Sequence, residues 1–255
     1  MSKPVVFLVG DAYERFAQNP NVMTLRDLRE RVASSDARLA DVRVVVGQGM
    51  RHEDAACPCD PEAARRAGIE LEGAEPPAPL SITHKRDPAS VLVSSPTKLR
   101  PHTYAVDLLL NDRLDRLVDH VTGQHVSGMV LLEAARQAGI ACVELEYLAG
   151  RPEPHGFVWN GMRVNFTRFV FPLPTRINVS FRELPAEGRS QPKYVADMEI
   201  SQGGQCVCEL EMSFGLLPTS VLDSLEVKAA RRALESSREL ATEEAPAPRS
   251  ASGRA

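Results

Sequence analysis

Alternating apolar and polar residues mark the clearest strand of the chain. In residues 205–214, every second residue from Cys206 to Phe214 is apolar and the residues between them are mostly polar, which predicts one buried and one exposed face. Residues 194–200 repeat the pattern, and Gly203-Gly204 between the two segments predicts a hairpin turn. Four more apolar segments predict strands, at residues 91–93, 104–110, 142–147 and 177–184.

One stretch among these strands has helical patterning, residues 128–138. Its apolar residues are spread around nearly the whole circumference, which is typical of a buried helix. Gly139 follows it as the predicted C-cap. Several antiparallel strands and one buried helix predict an α+β fold in which the sheet wraps around the helix.

Residues 1–72 alternate short apolar runs with helical segments. Runs at 5–9, 42–46 and 69–71 predict strands, and helices are predicted after Thr24, with Asp27 completing the cap, and at 61–67. This order indicates a small α/β unit. Its glycines do not form a Gly-x-Gly-x-x-Gly run, so we prefer a packing or docking module of unknown role to a nucleotide site.

Composition shifts divide the rest of the chain. Residues 73–79 read GAEPPAP and predict a linker or an extended crossing. Residues 80–218 form a block of domain size. Residues 219–240 predict an exposed terminal helix, and residues 241–255 contain no large apolar side chain and predict a disordered tail.

Composition narrows the classes of function. The 255 residues are 43% hydrophobic with a net charge of −4, which points to neither a nucleic-acid nor a membrane partner. No apolar run reaches the roughly 18 residues of a membrane span, and no signal peptide is evident. Five cysteines indicate reduced thiols and a cytoplasmic location. Cys57 and Cys59, with His52, lack a second cysteine pair at structural-zinc spacing, so we expect no metal.

Charged residues inside the buried helix are the candidate chemistry. Glu133 and Arg136 are three residues apart and therefore share one helix face. Asp119, His120 and His125 lie just upstream. A buried carboxylate is costly unless paired, so mutual neutralisation is one explanation and a site with tuned pKa values is the other. The neighbouring histidines favour the functional explanation.

The segment of residues 119–138, DHVTGQHVSGMVLLEAARQA, resembles the A-factor biosynthesis hotdog family. Thr83-His84-Lys85 followed by residues 91–93 resembles the start of that family's repeat, and the resemblance covers about residues 80–217. It implies a hotdog fold and a γ-butyrolactone or butenolide synthase, an acyltransferase that moves a β-ketoacyl group from a carrier-protein thioester to dihydroxyacetone phosphate. The spacing from Gly128 to Glu133 is also similar to that of hydroxyacyl-carrier-protein dehydratases.

Two departures from these families change the expectation. Ser127 stands where both families usually have proline. The A-factor proteins carry two hotdog repeats, whereas this chain shows one that resembles their second. We therefore expect a homodimer to supply the missing half.

The two families assign different roles to the same residues. In the transfer reaction, Glu133 takes the proton of the attacking hydroxyl and Arg136 binds a phosphate or the developing oxyanion. In dehydration, His120 or His125 is the base and protonated Glu133 assists the departure of hydroxide. In both, the helix N-terminus at Gly128-Met129 polarises the thioester carbonyl. Arg136 favours transfer, because dehydration requires no second cation.

Further substrate contacts are expected from Asp119, Gln137, His84 and Lys85. The last two belong to a basic cluster that fits the phosphate of phosphopantetheine, although a solvated turn explains it equally well. The resemblance implies no cofactor, because the acyl group arrives on an acyl carrier protein or as acyl-CoA. The alternatives are a 3-hydroxyacyl-thioester dehydratase, a thioesterase, and a non-catalytic acyl-binding or scaffold protein.

Overall fold

A computed structural model describes residues 3–34, 39, 42–72, 75–112, 123–184 and 193–243. The N-terminal part is a parallel sheet with its own apolar core. Helix α1 begins at a capping box in which Thr24 and Asp27 bond each other's backbone N–H groups, as predicted. The strands are β1 (Val5–Val9), β2 (Val22–Thr24), β3 (Arg43–Val46) and β4 (Glu70–Glu72), in the order β2-β1-β3-β4. The helices are α1 (Leu25–Ala33), α2 (His52–Ala56) and α3 (Pro61–Arg66).

One buried glutamine fastens this unit to the rest of the chain. Gln48 follows β3, and its amide donates to the Leu108 carbonyl at 2.9 Å and accepts from the Leu110 N–H at 2.7 Å. Gly49 N–H donates to the Leu110 carbonyl at 2.8 Å. Gly10 packs so closely on Gly49 that a Cβ would lie 1.6 Å from its carbonyl oxygen. The glycine turns after β1 and β3 therefore serve a packing contact.

The larger domain has a six-stranded antiparallel sheet and one long buried helix. Its helices are α4 (Leu80–Thr83), α5 (Gly128–Val143) and α6 (Thr219–Glu243). Its strands are β5 (Thr97–Arg100), β6 (Thr103–Asp107), β7 (His155–Phe166), β8 (Thr175–Leu184), β9 (Lys193–Gln202) and β10 (Gln205–Pro218), in the order β5-β6-β8-β9-β10-β7. The hairpin of β9 and β10 is confirmed. This is the hotdog architecture expected from the sequence.

Helix α5 packs directly on the sheet. Leu131, Ala134 and Ala138 belong to the same core as Ile177 and Ile200. Small residues at this contact let the helix approach closely. A Cβ at Gly139 would lie 2.7 Å from the Cε atom of Met198 and 3.0 Å from that of Met212.

The end of α5 corrects the sequence prediction. Gly139 is not a C-cap, because the helix continues to Val143 and passes into a π-helical turn, Glu144–Leu148. The strand predicted at 142–147 is therefore wrong. A short apolar run fits a strand and a buried helix equally well, and Gly139 is a spacer for helix–sheet packing.

Other strand predictions also need correction. Residues 91–93 form only an isolated bridge, from Val93 to Leu108. Strand β7 was missed, because its alternation is interrupted by Gly156 and Gly161 and because it lies at the sheet edge with many residues half exposed. Strand β5, at the other edge, was missed as well.

The linking and terminal segments complete the chain. Within residues 73–79, Ala78 is buried and its N–H donates to the Val93 carbonyl. Helix α6 is exposed and contacts the sheet through Leu222, which lies against Gly156. Residues 244–255 of the predicted tail lie outside the described part. In the portion of the chain that is described, no helix combines the length and apolar character needed to cross a membrane.

Candidate active site

Glu133 lies in the second turn of α5 and is contacted by three donors. Arg136 donates from Nε to Oε2 at 2.7 Å and from Nη2 to Oε1 at 2.8 Å, an i,i+3 pair on one helix face. Lys85, in the segment after α4, places its Nζ 2.6 Å from Oε1. Gln137 donates to the same oxygen at 3.0 Å. The predicted pair is present, and the structure adds Lys85 to it.

These contacts keep Glu133 ionised. Burial raises the pKa of its carboxyl, but the hydrogen bonds from Arg136, Lys85 and Gln137 outweigh burial and lower the pKa to about 2. Glu133 also raises the pKa of the Arg136 guanidinium. The side chains are partly open to solvent, at 23% for Glu133, 28% for Arg136 and 19% for Lys85. The site is therefore an accessible carboxylate between two cations.

Gln137 holds this arrangement from inside the core. Its side chain is completely buried. The amide oxygen accepts from Leu92 N–H at 2.9 Å, and the amide nitrogen donates to the Ser90 carbonyl at 2.9 Å as well as to Glu133. The residue expected to bind substrate thus positions Glu133 and ties α5 to residues 90–92.

His84 points to the other end of the helix. It adopts a left-handed backbone conformation with φ of 53° after α4, and its Nε2 lies 2.7 Å from Glu144 Oε1. Glu144 follows Glu133 by three helical turns, about 16 Å along the axis. The sequence-adjacent His84 and Lys85 therefore serve two different carboxylates.

A cavity of about 470 Å³ opens at the N-terminus of α5. Its lining includes His125, Gly128, Leu131, Phe166 and Phe169. The His125 and Phe169 rings lie 5.0 Å apart. The Ser127 side chain makes no capping hydrogen bond. Its carbonyl accepts hydrogen bonds from the backbone N–H groups of Val130 and Leu131.

Exposed apolar side chains surround this cavity. Met129 is 62% exposed, Phe166 49% and Phe169 70%. Met129 was expected to be buried in a helix that is apolar nearly all round, but it is exposed in the first turn, next to the buried Val130 and Leu131. The helix end presents an apolar, aromatic opening.

The structure does not bring all predicted catalytic residues together. Glu133 is five residues after Gly128, so it points about 140° away from it around the helix. His125 and Glu133 therefore lie on different sides of α5. Asp119 and His120 lie outside the described residues.

A second glutamate cluster lies at the end of α5 and was missed in the sequence. Glu146, in the π-helical turn, is 8% exposed. It accepts from Lys98 at 2.7 Å and from the Tyr104 hydroxyl at 2.5 Å, and it lies 3.0 Å from His102 Nδ1. Lys98 and Tyr104 lower the pKa of Glu146. The apolar helical periodicity continues past Gly139, and this pattern could have indicated that Glu146 lies on an extension of the helix.

The thiol of Cys57 contacts the backbone of Cys59. The Cys57 Sγ lies 3.3 Å from the Cys59 carbonyl. Across the described ranges, no three His, Cys, Asp or Glu side chains are grouped in a way that would hold a metal ion.

Comparison with solved structures finds distant similarities. A mutant thioesterase from Pseudomonas aeruginosa is 13% identical, with 49% of this chain and 81% of that chain covered and a TM-score of 0.38. A thioesterase from Haemophilus influenzae is 13% identical, with coverages of 55% and 82% and a TM-score of 0.37. A conserved protein from Pseudomonas aeruginosa is 22% identical, with coverages of 48% and 87% and a TM-score of 0.35. No curated protein matches the chain.

Comparison with protein families gives a match to a hotdog domain. The model of the A-factor biosynthesis hotdog domain matches residues 71–218. The match spans more than half of the chain and includes the antiparallel sheet, α5 and both glutamate clusters. It agrees with the resemblance of residues 119–138. The chain belongs to the A-factor biosynthesis hotdog family.

Proposed function

We propose that the protein transfers a β-ketoacyl group from a carrier-protein thioester to a small phosphorylated hydroxy acceptor. The observation that carries this proposal is the ionised Glu133 between Lys85 and Arg136. Two cations and one carboxylate leave a net charge of +1 beside a candidate base. This combination fits an acceptor that has both a phosphate and a hydroxyl group.

The charge state of Glu133 argues against dehydration. That reaction requires a protonated glutamate to assist the departure of hydroxide. With a pKa of about 2, the Glu133 carboxyl is ionised at neutral pH and has no proton to give. Transfer instead requires a carboxylate that receives a proton.

Lys85 and Arg136 supply the binding group for the acceptor. A guanidinium binds phosphate through a planar fork, and an ammonium contributes a flexible point charge. Lys85 was expected to meet phosphopantetheine. Its position beside Glu133 supports a role with the acceptor instead. Arg168 lines the cavity at the helix N-terminus and is the cation there that fits the phosphopantetheine phosphate.

The thioester carbonyl fits the N-terminus of α5. The backbone N–H groups of Gly128 and Met129 belong to the first turn and have no acceptor within the helix. The helix dipole also favours developing negative charge at this end. The aromatic cavity of about 470 Å³ accommodates part of an acyl chain. His125 lies at its wall and can orient the thioester.

A second copy of the chain completes this site in our proposal. Within one chain Glu133 and the cavity lie on different sides of α5, and the cavity is surrounded by exposed Met129, Phe166 and Phe169. A homodimer covers these side chains and brings a Glu133 from the second copy towards the cavity. Light scattering on the purified protein checks this, with a monomer mass of 27.9 kDa as the contrary result.

The test of the reaction offers β-ketoacyl and 3-hydroxyacyl carrier-protein thioesters to the purified protein, with and without dihydroxyacetone phosphate. Products are followed by mass spectrometry. We expect the β-ketoacyl thioester to be consumed only with the acceptor and to yield its phosphorylated ester. Loss of water from the hydroxyacyl substrate, hydrolysis at the same rate with and without acceptor, or no change in either substrate would each contradict the proposal.

A further inference from the structure

We propose that phosphate bound by Lys85 and Arg136 converts Glu133 from an ion-pair partner into the base of the reaction, so that the thioester is attacked only when the acceptor is present. This inference rests on the proposed function and adds a control step to it. It makes Lys85 a positioning residue that restrains Glu133 until a phosphate arrives.

The first argument is the hydrogen-bonding capacity of the Glu133 carboxylate. An ionised carboxylate has about four acceptor positions. Three of the four contacts to Glu133, from Arg136 Nη2, Lys85 Nζ and Gln137 Nε2, converge on Oε1, whereas within the described ranges Oε2 accepts only from Arg136 Nε. Oε1 therefore has no acceptor position left, and a hydroxyl that reaches Oε2 meets a carboxylate whose charge is shared with all of these donors. Glu133 is a poor base until a donor leaves.

The second argument is that two of these donors can leave and one cannot. Lys85 and Arg136 are partly exposed, and their donors reach solvent. Gln137 is fully buried, and its amide is fixed by Ser90 and Leu92. When the cations turn to another anion, Gln137 therefore keeps Glu133 in place with free acceptor positions.

The third argument is that phosphate is suited to draw the cations away. No described residue accepts a hydrogen bond from Nη1 of Arg136, and the Lys85 ammonium has three N–H donors, of which its one described partner uses one. An incoming phosphate can bind these spare donors first and then compete for the others. Among the described residues, Lys85 and Arg136 are the charged groups in contact with Glu133.

Release of the cations also changes the basicity of Glu133. The hydrogen bonds that lower its pKa are weakened, while burial, which raises the pKa, remains. The added phosphate charge acts in the same direction. The carboxylate then becomes a stronger base at the moment when the acceptor hydroxyl is beside it.

The chemical step is balanced without any further reactant. The acceptor hydroxyl oxygen forms a C–O bond to the thioester carbonyl carbon as its proton passes to Glu133. The C–S bond then breaks, and the departing thiolate takes the proton back from Glu133. Water would follow the same course, but it carries no phosphate and does not release Glu133, so hydrolysis stays slow.

The experiment measures Glu133 directly and compares two lysine variants of the full-length protein. Carboxyl-carbon NMR, assigned with Glu133→Gln, follows the titration of Glu133 with and without inorganic phosphate. We expect phosphate to raise the midpoint by about one pH unit or more. Lys85→Met should raise acceptor-independent hydrolysis of the β-ketoacyl thioester about threefold or more and lower transfer.

Lys98→Met is the matched control, because Lys98 forms a similar ion pair with Glu146 at the opposite end of α5. It should change neither the Glu133 midpoint nor hydrolysis. An unchanged midpoint at saturating phosphate, or equal hydrolysis in wild type and Lys85→Met, overturns the inference. Transfer without a midpoint change removes the control step alone. A midpoint change without transfer removes the proposed reaction alone.

Discussion

Helix α5 carries two glutamate clusters that differ in the kind of donor around them. Glu133 is held by Lys85, Arg136 and the buried Gln137, and it is 23% exposed. Glu146 is held by Lys98 and the Tyr104 hydroxyl and is only 8% exposed. Both carboxyl pKa values are lowered. A lowered pKa therefore does not by itself distinguish a functional site from a structural contact. The two clusters differ instead in the exposure of the carboxylate to solvent and in the excess of positive charge around it.

The Glu146 cluster connects the β5–β6 hairpin to the end of α5. Lys98 is in β5, and Tyr104 is in β6. Burial and the Glu146 hydrogen bond raise the pKa of Tyr104, so its hydroxyl remains a donor at neutral pH. We interpret this cluster as structural, and the following predictions compare it with Glu133.

The largest expected effect is on catalysis. Glu133→Gln should lower β-ketoacyl transfer about 10²- to 10⁴-fold, because the amide cannot accept the hydroxyl proton. Glu146→Gln should leave transfer within about twofold of wild type, because Glu146 lies more than three helical turns away from the proposed base. Product formation by mass spectrometry measures both. Equal losses in the two variants would remove the distinction between the clusters.

The next largest effect is on stability, and here substitution of Glu146 should cost more than substitution of Glu133. Glu146→Ala should lower the free energy of unfolding by about 1–3 kcal/mol, because it leaves the Tyr104 hydroxyl without its acceptor in an enclosed position. Glu133→Ala should cost about 1 kcal/mol or less, since its partners are rehydrated. Urea unfolding measures both, and a larger loss for Glu133→Ala contradicts the prediction.

Acid sensitivity sharpens the comparison further. The pKa of Glu133 is lowered from an ordinary 4.5 to about 2 in the folded chain, so its contribution to stability is present above the unfolded value and is lost as the pH falls through the folded one. Allowing for solvent screening, wild type should lose up to about 1 kcal/mol more than Glu133→Gln between pH 5 and pH 2. Parallel unfolding curves across this range would show that Glu133 is not strongly paired.

The smallest effect is expected at His84. Its pair with Glu144 is exposed on the histidine side, and such surface pairs contribute about 0–1 kcal/mol. Glu144→Gln should therefore change the free energy of unfolding by less than about 0.5 kcal/mol and leave transfer unchanged. A clear loss of transfer would place His84 in the site, as the sequence first predicted.

The sequence predicted those parts of the site that depend on local spacing. Glu133 and Arg136 share a helix face because they are three residues apart, and the capping box at Thr24 and Asp27 is equally local. Lys85 was expected to bind a phosphate, but its contact with Glu133 depends on how residues 80–92 pack against α5. His84 points elsewhere because of its left-handed backbone conformation, which the sequence does not reveal.

The errors in the fold have the same origin. Gly139 is typical of a helix end, yet here it is needed because Met198 and Met212 lie against the helix. The apolar residues 140–143 suit a strand or a buried helix, and only packing decides between them. Glu144 and Glu146 were consequently assigned to a strand, and the second cluster was missed.

The contacts of Gln48 have a consequence for how the two parts of the chain associate. The N-terminal sheet has its own core, and its residues are synthesised before residues 108–110. The Gln48 side chain offers a donor and an acceptor, and the backbone groups of Leu108 and Leu110 that bond them are made only afterwards. Docking of the two parts therefore supplies partners to polar groups that neither part satisfies by itself, which makes their association selective for the correct register.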